Sequence, residues 1–140
     1  MKRSLTSVAT AITLLAAGTH SVLGAEQLSV LHWWTSGGES KAIRVLKDDM
    51  NKQGYEWKDF AIAGGAGAAA MTALKAQVIS GNAPSAAQVK GPLIQDWADQ
   101  GVLVSLDQAA TDWKAHSPAQ IDKTMKAGGH YVAADRKSVV

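Results

Sequence analysis

The chain predicts an α/β fold with a parallel sheet flanked by helices, and three observations carry that expectation. Apolar or aromatic runs of strand length at 28–31, 55–62 and 86–89 alternate with stretches whose apolar residues recur at helical spacing. The joins between them are a few residues long and rich in glycine. Strand, helix, strand with short connections is the pattern of right-handed βαβ units. No internal repeat or low-complexity linker interrupts it.

Ahead of the first strand stands a segment of a different kind. Lys2 and Arg3 supply positive charge, 8–17 is apolar, and Ser21 to Ala25 supplies small residues. This reads as a secretory signal peptide over 1–25, cleaved after Gly24 or Ala25. Its apolar run is too short for a bilayer, which takes about 20 residues. With no cysteine in the chain, disulfides, cysteine-built zinc sites and a lipid-modified cysteine anchor are all excluded. Free export to a periplasm fits best, because an oxidising compartment permits disulfides without requiring them.

The formal charge of +2 arises from 14 basic and 12 acidic residues. Removal of Lys2 and Arg3 with the signal leaves twelve of each. No basic stripe survives, so the electrostatic footprint of a nucleic-acid binder is missing.

The first strand, 28–31, has a β-branched Val30 and runs into Trp33, Trp34, Gly37, Gly38 and Glu39. Ligands of open α/β sheets sit beyond the carboxyl ends of the strands, where these residues fall. Indole faces stack on apolar ring faces and a carboxylate accepts from hydroxyls, so a sugar matches both. The plainer reading has the tryptophans capping the core. Neighbouring strand residues point to opposite faces, so one indole can pack while the other binds.

Ala42, Ile43, Val45, Leu46 and Met50 form an apolar stripe for a helix ending at Gln53-Gly54. Ser36 or Ser40 can cap its start, and Glu39 lies by the positive end of its dipole. The second strand carries Trp57 and Phe60. An alanine-rich helix over 66–79 stops at Ser80-Gly-Asn-Ala-Pro84. After the third strand, Lys90-Gly-Pro92 turns into a helix whose face of Leu93, Ile94, Trp97 and Ala98 is core, and Gly101 ends it. An extended piece at 102–106, a helix capped by Asp107 and running through Trp113, a helix over 118–125 and a strand following Gly128-Gly129 complete the pattern.

Gly65-Ala-Gly-Ala-Ala-Ala70 matches a dinucleotide fingerprint in outline, but no acid lies between Asp59 and Asp96 to hold a ribose, and its strand is second in order. Small residues that let a helix approach the sheet explain it better. His32, His116 and His130 are scattered, with neither HExxH nor GxSxG spacing, and Asp48, Asp49, Asp96 and Asp99 read as solvated charge. No catalytic residue, metal site or cofactor is expected. Lys90 ends a buried strand at the same sheet edge as Trp33 and Trp34. It can donate to sugar hydroxyls there or simply reach solvent.

Leu31-His-Trp-Trp-Thr-Ser-Gly-Gly-Glu39, Gly64-Gly-Ala-Gly-Ala-Ala-Ala-Met71 and Ala87-Gln-Val-Lys-Gly-Pro92 with Trp97 together resemble the periplasmic glucose- or mannose-binding proteins, extracellular solute-binding subunits of ATP-driven sugar importers. The resemblance covers about 26–133. It implies a periplasmic-binding-protein type II-like lobe, one of two joined by a hinge, with Trp33 and Trp34 as cleft aromatics, Glu39 as hydroxyl acceptor and Lys90 as donor. It further implies a monosaccharide ligand, membrane permease subunits as partners, a monomeric state and no enzymatic activity. Members of the family are several hundred residues long, so the chain is expected to be an N-terminal fragment, truncated before the second lobe is complete. Residues 134–140, with the ending Asp135-Arg-Lys-Ser-Val-Val140, fit nothing in the family and match what a common sequencing adapter would encode, so they are expected to be an artefactual tail. An exported carbohydrate-active enzyme using Glu39 is the competing reading. It needs a second, facing carboxylate. A small standalone structural domain is a third, and it predicts cooperative unfolding of the chain alone.

Overall fold

The computed structural model describes residues 25–134. The expected signal segment before Ala25 and the expected tail after Ala134 lie outside the described residues.

Three strands form a parallel sheet in the order β2-β1-β3, with β1 at Gln27–His32, β2 at Glu56–Ala61 and β3 at Ala86–Ala87. The chain crosses from β1 to β2 through α1 (Gly37–Lys52), then passes α2 (Ala68–Ile79) to reach β3 on the other side of β1. Two right-handed crossovers in opposite directions put their helices on opposite faces of the sheet. The expected parallel α/β architecture is therefore present.

Side chains alternate along β1 and β2 as a two-sided sheet requires. Leu31, Trp33, Phe60 and Ile62 belong to the main core with Ala70 and Leu74 of α2 and with Trp97 of α3 (Gly91–Asp99). Leu31 is fully buried. His32, Trp34, Asp59 and Ala61 face the α1 side instead.

The α1 stripe does not become core. No residue of α1 is buried, and Val45 and Leu46 are 62% and 46% exposed. Only Ser40, Ile43, Lys47 and Met50, at helical spacing, are half-buried along its length. Ser36 stands at the N-cap position without a side-chain cap bond, while Ser40 Oγ donates to the Gly37 carbonyl. At the other end Asn51 Oδ1 accepts the Trp57 N–H at 3.2 Å, which ties the helix to the start of β2.

The extended piece at 102–106 is non-helical, as expected, and joins no sheet. One further expectation is corrected. The helix from Asp107 through Trp113 is replaced by turns and by a short α4 at Trp113–His116. The reason lies in the Asp107 carboxylate, which accepts the Tyr131 N–H at 2.8 Å and pairs with His130 Nδ1 at 2.6 Å. A side chain so engaged cannot cap a helix. α5 at Ala119–Thr124 and a hairpin of β4 (Lys126–Ala127) and β5 (His130–Tyr131) follow. They enclose a second small core of Ala110, Met125 and Tyr131.

Candidate functional site

The carboxyl ends of β1 and β3 and the turns after β1 and β2 converge on one edge of the sheet. Trp33 and Trp34 leave β1 there, and Lys90 leaves β3 as the exposed N-cap of α3. The β2 end continues into a 3₁₀ turn at Gly65–Gly67, where Ala66 (φ 46°) and Gly67 (φ 92°) are both left-handed.

The two indoles part company. Trp33 is half-buried against the main core, and its ring lies on Gly67: a Cβ at that glycine would stand 3.0–3.1 Å from the ring. The small-residue turn thus serves close approach, as the sequence implied, and the approach is to an indole. Trp34 lines a cleft of about 320 Å³ between α1 and the sheet, with His32, Ser40, Arg44, Lys47 and Asp59 among its walls. Glu39 is exposed in the first turn of α1. Of the four predicted site residues only Trp34 lines that cleft, and none lines the second hollow, of about 360 Å³, near Leu103 and His130.

A polar network at the floor of the first cleft was not legible in the sequence. His32 Nε2 lies 3.3 Å from Asp59 Oδ1, the Trp57 indole N–H donates to the same oxygen at 2.7 Å, and Lys47 Nζ reaches Oδ2 at 2.5 Å. A carboxylate only accepts, so Nε2 is the protonated ring nitrogen. Burial pushes the Asp59 carboxyl up, but hydrogen bonds from Lys47, Trp57 and His32 and the Lys47 charge outweigh it and hold the group below its usual range. An acid held ionised in this way is unsuited to donate a proton at neutral pH. Only the period-2 placement of Trp57 and Asp59 hinted at the cluster, and His32 lies 27 residues from its partner. Among the described residues no group of three or more His, Cys, Asp or Glu can hold a metal ion, and no helix is long and apolar enough to cross a membrane.

The parallel sheet with helices on both faces has a counterpart among solved structures. The galacto-N-biose-/lacto-N-biose I-binding protein of the ABC transporter from Bifidobacterium longum, solved in complex with lacto-N-biose, superposes with a TM-score of 0.62 at 22% identity, over 77% of this chain and 27% of that one. In sequence the chain is 45% identical over 135 residues to a probable sugar-binding periplasmic protein of Brucella melitensis, covering 93% of this chain and 32% of that protein. A protein of the same name from Rhizobium meliloti is 45% identical over 136 residues, covering 96% and 32%. An uncharacterized ABC transporter extracellular-binding protein of Pyrococcus horikoshii is 28% identical over 112 residues, covering 77% and 25%. The chain thus spans about a third of the length of the first two relatives. No family model matches it.

Proposed function

We propose that the chain is the first-lobe portion of a periplasmic sugar-binding component of an ATP-driven importer, with 1–25 as its export signal, 26–133 as the lobe and 134–140 as an artefactual tail. The observation that carries this reading is 45% identity, sustained over 93% of the chain, to a protein named for periplasmic sugar binding. Glucose or mannose is the favoured ligand, with Trp33 and Trp34 supplying indole faces, Glu39 accepting from hydroxyls and Lys90 donating to them. In support, Trp33 and Lys90 stand at the carboxyl ends of neighbouring parallel strands, where open α/β sheets take their ligands.

The mechanism is a population shift and involves no chemistry on the sugar. Sugar touches both lobes only in the closed state, so its differential affinity favours closure, and the closed form is what membrane permease subunits engage. A crevice shared by two lobes has one wall here. The chain alone therefore binds hexose weakly or not at all, whereas a protein with both lobes binds it well.

The test is titration calorimetry of glucose and mannose against the full chain and against a chimera in which 26–133 replaces the matching part of the Brucella melitensis relative. Binding by the chimera that is lost on Glu39→Gln or Lys90→Met is the expected result. Micromolar or tighter binding by the chain alone would contradict the one-wall account. Glycoside turnover that vanishes on Glu39→Gln would revive the enzymatic reading.

A further inference from the structure

Trp33 and Lys90 come from strands whose pairing is only two residues long, Val30 with Ala86 and Leu31 with Ala87. So short a ladder is a poor ruler for holding two binding groups at a set separation. Gln88 lengthens it by an uncommon route. Its main-chain N–H donates to the Leu31 carbonyl at 2.7 Å, and its side-chain Oε1 accepts the Trp33 main-chain N–H at 3.1 Å.

In a continued parallel ladder the Trp33 N–H would go to a main-chain carbonyl of β3. Here an amide side chain meets that need, and the main chain beyond Gln88 is released from the sheet. Lys90 can then take an extended conformation (φ −85°, ψ 141°) as N-cap of α3, with Pro92 setting the first helical turn. One residue both stops the ladder and fixes the end of its neighbour. A half-buried N–H without this acceptor would compete for water and let the 33–35 segment open.

From this geometry we infer that Gln88 is a positioning residue for the proposed sugar site, holding Trp33 in register with Lys90 without touching the sugar. The inference rests on that reading of the site, and its test separates the two. Amide hydrogen exchange of Trp33 is measured in the full chain with Gln88→Ala and Gln88→Glu, and hexose affinity is measured in the chimera carrying the same changes. Gln88→Ala should speed Trp33 exchange about tenfold and weaken hexose binding about tenfold. Gln88→Glu keeps an acceptor oxygen and should restore most of both.

Unchanged Trp33 exchange in Gln88→Ala overturns the clamp. Faster exchange with unaltered affinity overturns the positioning role, as does an affinity loss that Gln88→Glu fails to rescue. If the unaltered chimera takes no hexose, the sugar reading falls and the positioning role with it, while the exchange rates still report whether the clamp exists.

Discussion

The indole of Trp33 and the backbone of Gly67 touch so closely that a Cβ on the glycine would meet three ring atoms at 3.0–3.1 Å. That contact joins the turn after β2 to the end of β1. Gly67 is also left-handed, at φ 92°, so alanine there meets two penalties. Gly67→Ala should cost about 1–3 kcal/mol from backbone strain, with the ring displacement in addition. Gly81→Ala is the comparison: φ is 75° but nothing lies within 4 Å, so only the backbone penalty applies. Chemical denaturation of the two variants side by side checks it, and equal losses would mean that the ring gives way freely.

Trp97 packs in the same cluster as Leu31, Ala70 and Leu74 and is 8% exposed, which agrees with the core role read from the spacing of Leu93, Ile94 and Trp97. Trp97→Ala should destabilise by about 3–5 kcal/mol, the range for truncating a buried indole. Since the main core holds only a few such residues, loss of cooperative unfolding is the expected readout in a melt followed by circular dichroism.

How far the sequence carried depended on how local each cause was. β1 and β2 were visible because Leu31, Phe60 and their neighbours lie in strand-length runs that end at glycines, and α2 because its apolar residues recur at helical steps. The α1 stripe was visible too, but periodicity records only that Val45 and Leu46 are apolar and says nothing of what covers them; here they stand exposed. Asp107 misled because its partners lie 23 and 24 residues away, and that competition decides between a cap and a hairpin brace. The proposed site residues were read only as residue types at strand ends. What Gln88 and Gly67 do there needed the register of three strands, which no spacing along one strand reveals.

The opposite placements of the two neighbouring indoles give a prediction that separates packing from binding. Trp33 touches the core, whereas Trp34 lines an open cleft. Trp33→Ala should therefore cost about 2 kcal/mol of stability, below the value for a fully buried indole. Trp34→Ala should leave stability within about 0.5–1 kcal/mol of the unaltered chain, given its half-buried position. In the two-lobe chimera both changes should weaken hexose binding. Urea midpoints for the chain and calorimetry for the chimera measure the two effects separately, and a large stability loss from Trp34→Ala alone would reverse the assignment.

The β4–β5 hairpin should respond to pH on both sides of neutrality. Lys126 Nζ pairs with Asp122 Oδ2 at 2.8 Å, and the Tyr131 hydroxyl donates to Asp122 Oδ1. Lys126 also lies 4.3 Å from the centre of the Tyr131 ring. The hydrogen bond from Lys126, then that from Tyr131, holds the Asp122 carboxyl below its ordinary 3.8. The Asp122 carboxylate in turn raises Lys126 above 10.5 and Tyr131 above 10.0. A depressed acid contributes stability that is present above 3.8 and lost as pH falls through its lowered value. A raised lysine or tyrosine contributes stability that is complete below its ordinary value and lost as pH rises through the raised one. The hairpin should thus hold over the whole span between these limbs and loosen beyond each. Trp113 packs edge-on against Tyr131 at 5.6 Å between ring centres, so its near-ultraviolet circular dichroism reports the event. Tyr131→Phe should weaken the alkaline limb and leave the Lys126 pairing to govern the acid one. A signal that stays flat while Asp122 is titrated to its acid and Lys126 and Tyr131 to their deprotonated forms would show that the network carries no stability.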